Sequence, residues 1–361
     1  MAHVGVIFGG RSVEHQVSIV SARTVVRGLR EAGHLVTPLG IAQDGCWIDP
    51  AAAEAVLASG RRTTIEPLGQ PVAPTLTHLI SSGVEVLFPI VHGTWGEDGT
   101  LQGLCEMLDL PYVGPGVTAS ALAMDKLLFK RQMEAAGVPV VEYEAVTRRE
   151  LEADPEAVLK RLDRLPLPLF AKPSVGGSSV GVKKVTSREC QETSVRFALQ
   201  FDDTVLVERG VAGRELECAV LGYGRLEASC IGEIVPGNDF YDYADKYLQD
   251  TAQLIAPADV PEAVAERLRE LAVRAFAAIG GAGLARVDFL VEGEDGIYVN
   301  EVNTLPGFTS ISMYPRLWEL SGVPLPRLVD RLVEIARERH RDRHRLDAGI
   351  KQFLAQLERG E

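Results

Sequence analysis

An apolar run that ends in two glycines, His3 to Gly10 (HVGVIFGG), leads into a stretch from Ser18 to Ala32 with the apolar spacing of a helix and Gly33 as its stop. A second such run, Val84 to Gly93 (VEVLFPIVHG), precedes another helix-spaced segment from Thr100 to Leu108. Buried strands alternating with helices imply a mostly parallel sheet, covered by those helices. At Pro111 to Gly116 the composition turns to Pro and Gly, and a new unit begins.

The second unit opens with a predicted long helix, Ser120 to Ala136, followed by strands at VVEYEAV and PLFAKPS. A glycine-rich turn, VGGSSVG, joins them to a further strand, GVKKV, and the character changes again between Val205 and Gly213. Strand-like runs (RELECAVLGY, LEASCIGEIV), a polar and aromatic loop from Pro236 to Thr251 and a helix from Pro261 to Ile279 come next. Two strands, LARVDFLVE and GIYVNEVNT, precede closing helices, and the charged tail from Arg337 to Glu361 reads as an exposed helix. At 361 residues the chain exceeds one ordinary core. The expected division is 1–114; 115–207, with the glycine-rich loop; and 208–361, with the loop at 236–251.

No apolar run approaches bilayer length, and the start lacks the basic region of a signal peptide. The five cysteines are scattered, odd in number and free of Cys-x-x-Cys pairs, which points to a reducing cytoplasm and away from a disulfide framework or a zinc site. A net charge of −13 repels nucleic acid, so none is expected as a partner, nor is a membrane. An anionic small ligand then needs lysines and backbone amides gathered around it.

Several nucleotide and hydrolase signatures are missing. There is no G-x-x-x-x-G-K-[ST], no G-x-G-x-x-G after the first strand and no H-E-x-x-H. Gly177 to Gly181 fits G-x-S-x-G, but a nucleophile elbow needs a following helix and here a strand follows, so the glycines read as a turn over a ligand. His340 and His344, four apart in the charged tail, read as a solvated helix face.

The strongest local signal lies in the last two strands. Residues two apart on a strand share a face, so Arg286 and Asp288 stand together, as do Glu301 and Asn303. If the strands are neighbours, one wall presents carboxylates, an amide oxygen and a guanidinium. Such oxygen donors suit magnesium, completed by water and phosphate. Lys172 ends a strand directly before the glycine turn, where it can reach a phosphate that the turn's amides cradle. Lys126 and Lys246 are further candidates, and together with the acidic wall they describe a nucleoside-triphosphate site.

The segments GGRSVEHQVS, HGTWGEDGT, MDK, AKPSVGGSSVG, YDYADKY, ARVDF and NEVNTLPGFTSIS resemble those of the ATP-grasp superfamily, and within it the D-alanine–D-alanine ligases, from the opening to about Leu332. The resemblance implies an α/β fold (α+β in parts) of three domains, with an N-terminal Rossmann-like parallel sheet and ATP bound between central and C-terminal ATP-grasp domains, the last with a mobile loop at 236–251 and a metal site. Asp44 to Leu76 is longer than in the shortest members of the family and reads as a peripheral insertion. It implies joining of two D-alanine molecules through a D-alanyl phosphate, in the cytoplasm, by a homodimer, with ATP and two Mg2+ ions for which Mn2+ can substitute. By the same resemblance Glu14 would hold the first D-alanine's ammonium with His92 nearby, and Ser178 and Tyr247 would bond to Glu14. Lys126 and Lys172 would bind ATP phosphates, and Lys246 the transferred phosphoryl group. Glu208, Val211 and Glu215 would line the adenosine pocket. Asp288, Glu301 and Asn303 would bind the metals, Arg286 and the Gly307 amide would stabilise the oxyanion, and Ser312 and Met313 would receive the second carboxylate. The rival readings are a D-alanine–D-lactate ligase, which Tyr247 disfavours, another ATP-grasp carboxylate–amine ligase, which Glu14 disfavours, and a non-catalytic nucleotide binder.

Overall fold

The computed structural model of the chain describes residues 1–60, 63–67, 83–236, 253–293 and 296–359. β1 (His3–Gly9), β2 (Leu35–Ile41) and β3 (Val86–Pro89) form a parallel sheet in the order β2-β1-β3. β1 is a nearly continuous apolar run because both of its faces are covered. Helices α1 (His15–Glu31) and α2 (Pro50–Ala58) pack on one face, and α3 (Thr100–Met107) packs on the other. Asp49 caps α2, accepting from the amides of Ala51 and Ala52, and Ala53, Val56 and Leu57 of that helix are buried in the core. The described part of Asp44 to Leu76 is therefore no peripheral insertion, since it supplies one wall of the core.

The expected single helix at Ser120 to Ala136 is two, α4 (Val117–Met124) and α5 (Lys126–Ala135). The break falls at Asp125, which is extended and accepts from the amides of Leu127 and Leu128. Ser174 donates to the same carboxylate at 2.6 Å, and the Lys126 amide donates to the Ser174 carbonyl. An acidic cap facing a polar neighbour competes with the helix's own bonds, and here it wins.

β4 (Tyr143–Thr147), β5 (Leu169–Pro173), β6 (Lys183–Val185) and β7 (Thr204–Arg209) form an antiparallel sheet ordered β4-β7-β5-β6. Helices α6 (Arg148–Ala153), α7 (Pro155–Leu162) and α8 (Gln191–Ala198) close its core. β7 runs through the division expected at 207/208 and ends at Arg209. A second antiparallel sheet contains β8 (Arg214–Tyr223), β9 (Arg225–Val235), β10 (Gln253–Ile255), β11 (Gly283–Glu292) and β12 (Gly296–Asn303), ordered β10-β9-β8-β11-β12. The apolar stripe of α9 (Glu262–Ala278), from Ala265 to Phe276, covers one of its faces.

The chain then returns to where it began. From α10 (Met313–Leu320) and α11 (Leu325–Arg359), Leu317, Trp318, Leu328, Val329, Leu332 and Val333 join Val4, Phe8, Ile19 and Leu29 in one core. Gly28, inside α1, makes this approach possible, since a Cβ there would lie 2.9 Å from Leu325 Cγ. The helix gives up about 0.5–1 kcal/mol relative to alanine for that contact. Burial along α11 ends at Ala336, and the expected tail helix is the outward continuation of this single helix. Among the described residues, no helix is long and apolar enough to cross a membrane.

Candidate active site

β8, β11 and β12 build the acidic wall. Asp288 pairs with Glu301 on one side and with Glu217 on the other, so three carboxylates form one rung across three neighbouring strands. Arg286 sits one step along, opposite Asn303. Its guanidinium makes a two-pronged contact with Asp288 (2.7 Å each) and reaches Glu217 at 3.0 Å. Burial opposes its charge, but Asp288 and Glu217 keep it protonated well above the usual range. Asn303 Nδ2 donates to Asp288 at 2.9 Å. Like charges directly opposite on a sheet destabilise it unless a cation lies among them. The oxygen donors of this rung fit a hard divalent cation.

The glycine turn between β5 and β6 folds over this wall. Gly176, Gly181 and, less usually, Ser178 and Ser179 have positive φ. Two consecutive non-glycine residues in that region store strain, which the surrounding contacts must hold. Ser178 supplies one of them, donating to Glu14 Oε1 at 2.6 Å. Lys126, first residue of α5 because of the break at Asp125, donates to the Gly176 carbonyl at 2.6 Å. Burial lowers its pKa, opposed by the charge of Glu301. Lys172 bonds to Glu208 at 2.7 Å, and buried Lys130 approaches the same carboxylate at 3.3 Å. Burial pushes the Glu208 carboxyl up, but the two ammonium groups prevail and hold it at about 2.

Glu14 precedes α1 yet makes no side-chain cap for it. Its carboxylate turns toward Gly93, where a Cβ would stand 2.4 Å from Oε2, so only glycine fits that positive-φ position. His92 is buried with both ring nitrogens engaged, Nδ1 at 2.8 Å from the Leu305 carbonyl and Nε2 at 3.0 Å from Ser21 Oγ. Burial lowers its pKa, opposed by the Glu14 charge, and keeps the ring neutral. Glu97 accepts from the amides of Gly93 (2.7 Å) and Leu305 (2.9 Å). Burial first, and then the charge of Glu14, pushes its carboxyl up to about 8. Ser312 precedes α10, where its hydroxyl accepts from the Thr309 amide.

Two cavities meet at this place. The first, ≈ 510 Å³, is bounded by Glu14, His92, Glu97, Gly307, Ser312 and Met313. The second, ≈ 380 Å³, is bounded by Lys172, Glu208, Val211, Glu215, Asp288 and Val235. Lys126, Gly176 to Ser178, Glu217, Arg286 and Glu301 border both. Asn303 borders the first cavity. Lys246 and Tyr247, with all but Pro236 of the loop expected at 236–251, lie outside the described residues. Sequence reasoning assigned nothing to Glu97, Lys130 or Glu217. Glu97 stood inside the quoted HGTWGEDGT segment, a usable signal, whereas the other two stand out only once their partners are in place.

Comparison with known proteins places the chain in a family. A family profile described as D-ala D-ala ligase N-terminus matches residues 3–115, and one described as D-ala D-ala ligase C-terminus matches 132–334. The chain is 42% identical to a D-alanine–D-alanine ligase of Acetivibrio thermocellus (93% of this chain, 96% of that one). It is 43% identical to one of Solibacter usitatus (94% and 97%). Among solved structures it resembles the D-alanine-D-alanine ligase from Coxiella burnetii, with a TM-score of 0.82 and 36% identity over 98% of this chain and 99% of that chain. It also resembles the VanG D-Ala:D-Ser ligase from Enterococcus faecalis, with a TM-score of 0.79 and 31% identity over 93% and 99%. With both halves matched and the likeness running nearly end to end, the chain belongs to the D-alanine–D-alanine ligase family.

Proposed function

We propose that the protein joins two D-alanine molecules into D-alanyl-D-alanine, with ATP converted to ADP and phosphate, for peptidoglycan precursor synthesis. The observation that carries this reading is the meeting of the two cavities, the first bounded by Glu14, His92 and Glu97 and the second by Lys172, Glu208 and Glu215, across Lys126, Ser178, Arg286 and Glu301. A carboxylate acylates poorly, so the first D-alanine carboxylate attacks the γ-phosphoryl group and becomes an acyl phosphate. Glu14 pairs with that substrate's ammonium, and Ser178 fixes Glu14. Lys126 and Lys172 neutralise the ATP phosphates, with Lys246 at the transferred group. Val211, Glu208 and Glu215 take the adenosine, the last through its ribose hydroxyls.

Asp288, Glu301 and Asn303 would hold Mg2+, two ions in all with Mn2+ able to substitute, which supplies charge neutralisation at the phosphoryl group. The second D-alanine docks its carboxylate at Ser312 and Met313, where the N-terminus of α10 favours an anion. Its amine attacks the acyl carbon and loses a proton as phosphate departs. Arg286 and the Gly307 amide stabilise the oxyanion formed on the way. A dimer of such chains, each divided near 114 and 207, completes the reading.

The test is phosphate release from ATP and Mg2+ with D-alanine, with L-alanine, or with D-alanine plus D-lactate or D-serine, the products identified by mass. The reading expects release with D-alanine alone, yielding the dipeptide, and silence with L-alanine. A depsipeptide or a D-alanyl-D-serine product as the major species would overturn the choice of second substrate.

A further inference from the structure

Outside the two cavities, α11 carries a cluster for which the ligase reaction has no use. His340 and His344 are one turn apart, so their rings leave the same face of the helix. That face lies over the end of α3, where Asp109 adopts a left-handed backbone (φ 54°) and presents its carboxylate. Asp109 Oδ1 is 3.1 Å from His340 Nε2 and 3.0 Å from His344 Nε2, and the two Nε2 atoms are 3.2 Å apart. The Asp109 carbonyl also lies 3.1 Å from His340 Nε2. Among the described residues this is the one group of three His, Cys, Asp or Glu side chains whose donor atoms all converge within 4.8 Å.

Each Nε2 has a single in-plane position, filled either by a hydrogen or by a lone pair. With a hydrogen on both, each ring donates to Asp109 Oδ1 and none is left for the 3.2 Å contact between the two nitrogens. With fewer, at least one nitrogen sets its lone pair against the carboxylate. A cation bound by all three atoms serves every contact at once. Bonds of about 2.0–2.1 Å to a tetrahedral ion place its ligands roughly 3.3 Å apart, close to the separations seen.

The site is also held in advance of any ion. Arg339 lies over the Tyr112 ring at 4.2 Å and donates to the carbonyls of Tyr112 and Gly114, while Arg343 pairs with Glu106 at 2.9 Å. These contacts, one residue before each histidine, fix the ligand-bearing face of α11 against the first sheet's unit. His344 and Asp109 are open to solvent, which leaves a coordination position for water.

We propose that Asp109, His340 and His344 form a binding site for a divalent transition metal of the zinc class, which clasps the outer part of α11 to the end of α3. Two imidazoles and one carboxylate select Zn2+, Co2+, Ni2+ or Cu2+ over Mg2+, so the site is chemically distinct from the all-oxygen wall at Asp288. The odd, scattered cysteines argue against a thiolate zinc site and leave an imidazole site untouched.

The experiment uses the full chain, stripped with EDTA and returned to millimolar Mg2+ so that oxygen-rich sites are filled, then titrated calorimetrically with Zn2+ alone. The result expected is one equivalent bound and a zinc-dependent rise in Tm, with His344→Ala weakening the affinity about a hundredfold and abolishing the rise. Asp109→Asn acts in the same direction. His344→Ala should retain the zinc-free Tm and its ligase turnover, since the side chain is half-exposed and remote from the proposed chemistry. Co2+ should give the visible absorption bands of a tetrahedral ion in the wild type and lose them in the variant. No uptake in the presence of Mg2+, or zinc binding and a Tm rise unchanged in His344→Ala, would overturn the proposal.

Discussion

The two cavities share a border but displace a buried glutamate in opposite directions. In the first, Glu14 and Glu97 stand together beside a neutral His92, and burial, reinforced by the Glu14 charge, raises the Glu97 carboxyl to about 8. In the second, Glu208 sits between two ammonium groups and is held at about 2. The same residue type is displaced in opposite directions because its neighbours differ, not because its burial does. The difference teaches what each cavity suits: a substrate ammonium beside Glu14 and Glu97 in the first, and an anion such as a polyphosphate beside Lys126 and Lys172 in the second. Of the acidic rung, Glu217 and Glu301 border both cavities and Asp288 borders the second.

The border should be the most sensitive place. Asp288→Ala removes the centre of the rung, and kcat/KM is expected to fall by about a thousandfold or more in steady-state phosphate release. An unchanged rate would sink the metal assignment. Next in size, Glu14→Gln should raise KM for D-alanine by roughly 10–100-fold while ATP binding, followed by nucleotide titration, stays near wild type. Equal losses in both would erase the distinction between the cavities. Lys172→Met should do the converse and weaken ATP by about tenfold, and it should also lower Tm because Glu208 loses a buried partner.

The smallest effect is one of pH. The Glu97 carboxyl is raised in the folded chain, so between about pH 4.5 and about pH 8 the folded state keeps a proton that the unfolded state has released. Stability is then lost as pH rises through that window. Glu97→Gln should flatten the decline in Tm over the same range, and parallel profiles for the two proteins would contradict the assignment.

Much of the wall was legible because strand periodicity is a local rule. Placing Arg286 with Asp288 and Glu301 with Asn303 needed only alternation, and the pairing of β11 with β12 followed from their closeness in the chain. Glu217 completes the rung from a strand some seventy residues earlier, and no local pattern announces it. The same holds for Lys130, whose neighbours in sequence look like an ordinary helix face and whose partner Glu208 lies on another element. The division at Asp125 was hidden for a different reason. Apolar spacing continues across it, and the extended Asp125 cap that ends α4 is held by a bond from Ser174, an event of tertiary structure. His340 and His344 were visible as a pair from the start, but Asp109, 231 positions from the first of them, was needed to give them a meaning.

The core shared by α1 and α11 has a consequence for the order in which the molecule can be made. Leu29 finds its partners Leu328 and Val329 about three hundred residues later in synthesis. At about 5–20 residues per second the ribosome needs roughly 15–60 s to cover that interval. Throughout it, one face of the first sheet's helical cover has no lasting neighbour, and it is there that a nascent chain would be recognised by a chaperone or captured by another of its kind.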